Sequence, residues 1–236
     1  MAHPRPLRLG SYNIRKCVGL DWRRSPERTL DVVAGMGADV VALQEADKRL
    51  GPRPSALPRH EIAARTGMTP LIPNENGPSI GHHGNAILVG DGVEVLNLRG
   101  IDLPGTEPRG ALIAQLRPKG ADHPIHVVAA HLGLMRRDRQ RQLHAIRAAL
   151  PNSTAPVFIM GDFNEWSRTR GLDPLTTDMS VISPGHSFHA ARPIAGLDRV
   201  AHCGASQLQD AGVIESKLAR KASDHLPIWA DFTLPP

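Results

Sequence analysis

Residues 156–164 have the sequence Pro-Val-Phe-Ile-Met-Gly-Asp-Phe-Asn. The apolar run has the length of one strand, and Asp162 and Asn164 follow at its end. An apolar run without alternation is typical of a strand that is covered on both faces. Polar side chains at the end of such a strand lie at a sheet edge, where a rigid scaffold can hold a functional site. This stretch therefore predicts a buried strand that delivers two candidate site residues.

The same pattern recurs along the chain. The strand predicted at 7–13 ends at Asn13, the one at 39–45 ends at Gln44 and Glu45, and the one at 125–131 ends at His131. Each polar residue alone is an ordinary turn former. Their repetition, with Ser-Asp-His at 223–225 before a last apolar run, favours a site built from strand ends.

Other elements follow from turn residues and spacing. Ser25 and Pro26 predict a helix start, the apolar spacing of Leu30, Val33 and Met36 predicts one buried face, and Gly37 ends the helix. A short helix is predicted at 59–66, and a basic one at 136–150 with Leu143, Ile146 and Leu150 facing inward. Further strands are predicted at 85–89, 93–98, 111–116, 197–201 and 226–232. Many strands with few helices indicate an α/β or α+β fold with large sheets.

The composition sets the broad class. The chain has 236 residues, 41% of them hydrophobic, which predicts one globular domain over 1–236. Its apolar runs are too short to span a bilayer, and no signal peptide is visible, so a cytoplasmic location is expected. Two cysteines cannot form a thiolate metal site and are expected to be free thiols. Oligomeric state is left open.

Charge and aromatic content bear on partners. The formal net charge of +5 makes polyanions natural partners, such as nucleic acid, an anionic lipid head group or a phosphorylated small molecule. Aromatic residues make up only 3% of the chain, which disfavours single-strand binding on stacked aromatic platforms.

The candidate site residues are carboxylates, amides and imidazoles, without thiolates. Hard oxygen ligands suit Mg²⁺, Mn²⁺ or Ca²⁺. Histidines beside carboxylates suit proton transfer, because the carboxylate holds the tautomer and raises the basicity of the ring. Metal and histidine together favour hydrolysis of a phosphate ester.

Eight short motifs in order make the chain resemble the endonuclease/exonuclease/phosphatase family. They are Ser-Tyr-Asn-Ile at 11–14, Leu-Gln-Glu at 43–45, Gly-Asn-Ala-Ile at 84–87, Glu-Pro-Arg-Gly at 107–110, Ala-His-Leu at 130–132, Gly-Asp-Phe-Asn at 161–164, Leu-Asp-Arg-Val at 197–200 and Ser-Asp-His at 223–225. This resemblance implies a four-layer α/β/β/α sandwich of two packed mixed sheets.

The resemblance also implies roles for individual residues. Mg²⁺ or Mn²⁺ would be held by Glu45 with Asn13 in support, and Asp224 would support it or occupy a second metal position. Asp162 and Asn164 would position or activate the attacking water and hold a phosphate oxygen. His225, paired with Asp198, would act on the phosphate, and His131 would donate to a phosphoryl oxygen. Phosphate-binding residues would be Asn13, Asn164 and Arg109, although Arg109 fits a surface salt bridge equally well.

Several residues keep two interpretations. Deoxyribonucleases of this family pair the histidine equivalent to His131 with a second glutamate, for which Glu75 is a displaced candidate. Surface positions are expected for His82 and His83, with contact to substrate as the alternative. Core positions are expected for Trp22 and Trp166, with a place in the wall of the cleft as the alternative. The basic face formed by Arg136, Arg137, Arg139 and Arg141 is expected to be solvated, with contact to a polyanion as the alternative.

Three functions remain in competition. The leading one is metal-dependent hydrolysis of a phosphodiester, in nucleic acid or a lipid head group. The second is a phosphomonoesterase acting on a phosphorylated lipid or sugar. The third is a binding module that keeps the fold without the chemistry.

Overall fold

The computed structural model describes residues 6–48, 51–151, 154–167 and 170–234. The N-terminal residues 1–5, on which the expected absence of a signal peptide partly rested, lie outside this description. Numbered along the chain, the described strands are β1 Leu7–Asn13, β2 Val40–Gln44, β3 Met68–Pro70, β4 Ala86–Gly90, β5 Val93–Leu103, β6 Arg109–Pro118, β7 Ile125–His131, β8 Val157–Asp162, β9 Ser180–Ile182, β10 Asp198–Cys203, β11 Gln207–Val213 and β12 Ile228–Thr233.

The α-helices are shorter in total than the strands. Among the described residues they are α1 Pro26–Ala34, α2 Arg59–Thr66, α3 Arg136–Ala149, α4 Asp173–Thr176 and α5 Ala219–Ala222, and a 3-10 turn lies at Arg15–Cys17. Ser25 caps α1 by accepting a hydrogen bond from the Arg28 backbone N–H at 3.2 Å, as the sequence predicts. Within the described ranges, no helix has the length and apolarity needed to cross a bilayer.

The strands form two mixed six-stranded sheets. The first has the order β11-β12-β1-β2-β4-β3, and the second has the order β5-β6-β7-β8-β10-β9. The β1–β2 pair is parallel in the first sheet, and the β7–β8 pair is parallel in the second. The α/β/β/α sandwich implied by the family resemblance is confirmed.

Three apolar layers hold the sandwich together. One lies between the two sheets and contains Val40, Ala42 and Phe158. A second joins the first sheet to α1, α2 and α5, and a third joins the second sheet to α3 and α4. Alternate residues of β2 enter different layers, because Val41 and Leu43 face the helices. Burial on both faces is the physical reason for its unbroken apolar sequence.

The differences from the sequence prediction lie at sheet edges, at element ends and in the short helices α4 and α5, which were not predicted. The short strands β3 and β9 and the polar strand β11 were not predicted, and β5 continues to Leu103. The residues of β11 are mostly exposed, so an apolar pattern was not required there. Helix α1 ends at Ala34 before Gly35, and Gly37 follows with a positive φ of 58°.

Candidate active site

The site lies where strands of the second sheet end together. His131 at the end of β7 is the register partner of Asp162 at the end of β8, and Asp198 at the start of β10 faces Asp162 from the other side. Asp162 is thus the central residue of three adjacent strands. Gly161 precedes it with φ 148°, and a Cβ there would lie 1.8 Å from the Ala130 carbonyl oxygen. Only glycine allows the strands to approach this closely beside the site.

The first sheet contributes the other side of the site. Asn13 ends β1, and its Nδ2 donates a hydrogen bond to Asp162 Oδ2 at 3.0 Å. The Asn13 carbonyl accepts from Ser223 Oγ at 2.7 Å, which ties the segment before His225 to the same strand end. We call the set brought together by these contacts the Asp162 cluster: Asn13, His131, Asp162, Asn164, Asp198 and His225.

His225 bridges two carboxylates. Its Nδ1 lies 2.7 Å from Asp198 Oδ2, and its Nε2 lies 3.5 Å from Asp162 Oδ2. Burial alone would lower the pKa of His225, but the charges of Asp198 and Asp162 outweigh it and raise that pKa to about 10. The ring is therefore held as an imidazolium in which both nitrogens donate.

His131 is also buried but has the opposite electrostatics. Its Nε2 lies 3.4 Å from Asp162 Oδ2. Burial lowers its pKa to about 3, with the positive charges of Arg109, His225 and Lys16 adding to the effect against that of Asp162. His131 is therefore neutral near pH 7, and can offer one N–H donor without adding charge.

Asn164 is fixed by its backbone and its side chain. Its N–H donates to Asp162 Oδ1 at 2.9 Å, and its Nδ2 donates to the Leu132 carbonyl at 2.9 Å. Its φ is 50°, in the left-handed region that asparagine tolerates. The turn after β8 thus holds the Asn164 amide between the ends of β7 and β8.

The residues expected to hold metal lie beside this cluster. Glu45 contacts the Lys16 ammonium, and Asp224 Oδ2 lies 3.5 Å from Arg15 Nε. The charge of Lys16 acts on His131 and that of Asp224 acts on His225, so both pairs face the Asp162 cluster. These two carboxylates are partly exposed, and each is paired with a basic side chain. Their oxygens are a donor set that fits Mg²⁺ or Mn²⁺.

A more compact group of potential ligands also exists. Atoms of Asp162, Asp198 and His225 lie within 4.8 Å of one another. Asp198 Oδ2 already accepts from His225 and from Ser187 Oγ, the latter at 2.5 Å. His225 also lacks a free lone pair when protonated. Glu45 and Asp224 are therefore the better candidates for the metal.

Arg109 lies near the site residue His131, whereas Glu75 lies in an exposed loop. Arg109 donates to Glu107 at 3.0 Å, but its side chain is only 10% exposed and its charge reaches His131, so it is not a surface ion pair. Glu75 is exposed in the loop after β3, where its carbonyl accepts from Arg59. It does not replace the missing glutamate, and the carboxylate beside His131 is that of Asp162.

The arginines of the basic face on α3, which were expected to be solvated, differ in their exposure. Arg137 and Arg141 are exposed, whereas Arg139 is 4% exposed and donates to Glu165 Oε2 at 2.7 Å. Arg136 reaches the same carboxylate at 3.4 Å. The prediction was wrong for Arg139, because its acidic partner lies on the loop beyond Asn164.

The tryptophan prediction was also wrong. Trp22 is 78% exposed and lies under the Arg15 guanidinium, with 4.7 Å to the ring centroid. Trp166 is 61% exposed and meets Phe188 edge-on at 6.0 Å, and Phe188 packs against His225 at 4.9 Å. One intervening side chain therefore separates each tryptophan from a site residue: Arg15 lies between Trp22 and Asp224, and Phe188 lies between Trp166 and His225.

Three contacts at the site were not predicted. Ser187 supports Asp198, Lys16 contacts Glu45, and Phe188 covers one side of His225. The basic character of the loop at Lys16 was visible in the sequence, but its partner was not. Ser187 and Phe188 lie in a segment without apolar periodicity, so no sequence signal pointed to them.

His82 and His83 are half-buried instead of fully exposed. Both Nε2 atoms face Asp102 Oδ1, at 3.0 and 3.1 Å. We call His82, His83 and Asp102 the Asp102 cluster. Burial, with the charges of His82 and Arg53, lowers the pKa of His83 below its ordinary value.

A family model described as the endonuclease/exonuclease/phosphatase family matches residues 10–225. The chain belongs to this family. It is 30% identical over 223 residues to the uncharacterized protein YbhP of Escherichia coli strain K12, covering 86% of this chain and 87% of YbhP.

Three solved structures illustrate the shared fold. A functionally unknown conserved protein from Enterococcus faecalis V583 superimposes with a TM-score of 0.79 at 19% identity, covering 96% of this chain and 99% of its own. TDP2 of D. rerio, complexed with a single-strand DNA product, gives 0.71 at 18% identity, covering 97% and 99%. A mannosyl-6-phosphatase from Bacteroides thetaiotaomicron gives 0.73 at 14% identity, covering 97% and 100%.

Proposed function

We propose that this family member is a divalent-metal-dependent phosphoesterase that hydrolyses a phosphodiester by attack of water. The observation that carries the proposal is the convergence of His225, His131 and Asn13 on one oxygen of Asp162. A phosphoryl group and its attacking water that lie beside this buried carboxylate would be within reach of the same donors. A binding module needs no such buried acid–base pair, so the geometry favours catalysis.

Asp162 would accept the proton of the attacking water as the new P–O bond forms. Asn13 and Asn164 hold the Asp162 carboxylate through a donor on each oxygen, which fixes its direction. Holding a base in position converts a bimolecular proton transfer into an oriented one. The ester oxygen leaves as the other P–O bond breaks and takes its proton from solvent.

The two histidines would stabilise the phosphoryl oxygens in different ways. His225, held as a cation by Asp198, supplies charge as well as a donor. His131 supplies a neutral donor, and Arg109 adds a guanidinium on that side. Bound Mg²⁺ or Mn²⁺ at Glu45 and Asp224 would neutralise charge on the phosphate. These donors act most strongly where water is partly excluded.

A diester is favoured over a monoester by the surroundings of the site. A diester has a substituent on each side of the phosphorus atom. One side chain separates each exposed ring from a site residue: Arg15 lies between Trp22 and Asp224, and Phe188 lies between Trp166 and His225. These rings offer such substituents apolar surfaces. The fold shared with TDP2 bound to single-strand DNA agrees with a nucleic-acid diester. An anionic lipid head group fits the same chemistry.

The second candidate is a phosphomonoesterase. The observation in its favour is the fold shared with a mannosyl-6-phosphatase at a TM-score of 0.73. A sugar monoester would use the same cations at the phosphate but would need only one of the two exposed rings.

Paired synthetic substrates test the proposal. We expect bis-p-nitrophenyl phosphate to be hydrolysed faster than p-nitrophenyl phosphate in Mg²⁺ or Mn²⁺, with EDTA abolishing turnover. Full turnover without metal, or no turnover of either ester, would contradict it, and a preference for the monoester would establish the second candidate. Plasmid DNA, RNA, sphingomyelin and inositol phosphates then separate natural substrates, with Asp198→Asn as the control of strongly reduced turnover.

A further inference from the structure

The Asp102 cluster has no part in the proposed mechanism, but its two histidines are held in a defined geometry. Residues 82–85 form a tight turn in which His82 and Asn85 exchange backbone hydrogen bonds at 2.8 and 2.9 Å. The two central residues, His83 and Gly84, have φ values of 48° and 82°. Positive φ at both centres is the geometry of a type I′ turn. The turn therefore presents two adjacent imidazoles in a fixed arrangement.

Two glycines of the second sheet make room for these rings. A Cβ on Gly100 would lie 2.6 Å from His82 Cγ, and a Cβ on Gly110 would lie 2.8 Å from Cδ2 of both His82 and His83. Gly110 is also the register partner of Asp102 across the β5–β6 pair. Any larger residue at either position would displace the imidazoles, so the strand surface is shaped to hold them beside the carboxylate.

We propose that His82, His83 and Asp102 bind a divalent transition metal of the Zn²⁺ type, at a site separate from Glu45. Both histidine Nε2 atoms point at one carboxylate oxygen, and the three ligand atoms lie within 4.8 Å of one another. Tetrahedral ligands about 2 Å from zinc are roughly 3.3 Å apart, which small side-chain rotations reach from here. Imidazole nitrogens select such metals over Mg²⁺.

The cluster keeps room for exchangeable ligands. The Asp102 side chain is 81% exposed, whereas those of His82 and His83 are 28% and 22% exposed. Asp102 can therefore rotate to admit the ion, while the turn holds the imidazoles. Three protein ligands leave a fourth position for water or a substrate oxygen. The Ala46 N–H donates to the Gly84 carbonyl at 2.8 Å, so the turn that carries the two histidines lies beside the Glu45 strand end.

Arg53 competes with the metal for His83. Its Nη1 lies 3.0 Å from His83 Nδ1 and donates to it, which places the ring proton on Nε2. Metal on Nε2 moves that proton to Nδ1, where it would face the Arg53 donor. Arg53 must then leave, and Asp47 offers it a partner, because Asp47 Oδ2 is buried without a hydrogen bond and already feels the Arg53 charge.

Zinc titration calorimetry of the full chain, in saturating Mg²⁺, tests the site. We expect wild type to bind one Zn²⁺ tightly, and His82→Ala and Asp102→Asn each to weaken it at least tenfold. His60→Ala, at an exposed histidine of α2, is the matched control and should leave the affinity unchanged. Glu45→Gln should also leave it unchanged, which separates this site from the proposed catalytic one.

Variants at Asp102 and Arg53 give the decisive measurements. Asp102→Asn keeps the size and exposure of the side chain, and circular dichroism verifies folding of each variant. We expect Arg53→Gln to tighten zinc binding at least threefold, because the amide oxygen can accept from Nδ1. Zinc affinity unchanged in both Asp102→Asn and His82→Ala, or no tight zinc in wild type, would overturn the site. An unchanged affinity in Arg53→Gln would overturn the proposed competition between Arg53 and the metal for His83.

Discussion

Asp162 and Asp198 are register partners on adjacent antiparallel strands, and one imidazole, that of His225, lies 2.7 Å from the Asp198 carboxylate and 3.5 Å from that of Asp162. Two buried carboxylates side by side repel each other, and a shared cation offsets that repulsion. The strand register therefore determines both the position and the charge of His225.

Asp198→Asn should lower turnover by about 10²–10⁴-fold with little change in substrate affinity, because it disturbs the His225 ring without emptying the cleft. His225→Ala should be comparably severe, and the double variant little worse than either single one. Steady-state kinetics on bis-p-nitrophenyl phosphate measures all three. Fully additive losses would show that the two residues do not act as a unit.

Glu45→Gln should weaken Mg²⁺ and Mn²⁺ binding at least tenfold, because a neutral amide replaces the carboxylate at the expected metal position. Titration calorimetry with each metal is the measurement. Glu94→Gln, which alters an exposed carboxylate paired with Arg117, should bind metal as wild type does. Equal affinities in the two variants would remove Glu45 from the metal site.

Arg139→Ala should reduce the free energy of unfolding by about 3–5 kcal/mol, because it leaves the 1% exposed Glu165 without its nearest cation. Urea denaturation followed by circular dichroism gives the value. Arg137→Ala on the exposed face of the same helix should change it by less than about 0.5 kcal/mol. Similar losses in both variants would mean that helix α3 itself, and not the ion pair, is sensitive.

The two free cysteines should react at different rates. Cys17 is fully buried, and burial raises the pKa of its thiol to about 11, so little thiolate is present at pH 8. Cys203 is half-buried, and burial raises its pKa as well. A thiol-specific chromogenic reagent at pH 8 should modify Cys203 first and Cys17 only after unfolding. Simultaneous modification of both in the folded protein would contradict this burial.

Much of the fold could be predicted because its information is local. The strand ending at His131 and the helix at Arg59–Thr66 have the predicted bounds, since apolar runs and turn residues mark them directly. The polar ends of four strands similarly gave Asn13, Glu45, His131 and Asp162. Strands β1 and β2 are parallel neighbours in one sheet, and β7 and β8 are parallel neighbours in the other, so each pair ends at one sheet edge. The hydrogen bond from Asn13 to Asp162 joins the two edges.

The remaining features depend on distant partners. Arg139 is buried by Glu165, which lies 26 positions further along the chain, and periodicity carries no information about that pairing. Trp166 is 61% exposed, whereas its large apolar ring alone favours the core. Ser187 reaches Asp198 only through the folded path of an irregular segment. Such contacts require the tertiary structure.

Three consecutive residues, Arg15, Lys16 and Cys17, have positive φ values of 46°, 55° and 62°. Left-handed backbone costs roughly 1–2 kcal/mol per non-glycine residue, and here it turns Lys16 onto Glu45 and Arg15 toward Asp224. The polypeptide thus supplies its own counterions to these carboxylates. At the proposed metal site, Mg²⁺ binding would exchange an ammonium for a divalent ion. Lys16→Met should therefore tighten Mg²⁺ binding in titration calorimetry while lowering the melting temperature of the metal-free protein.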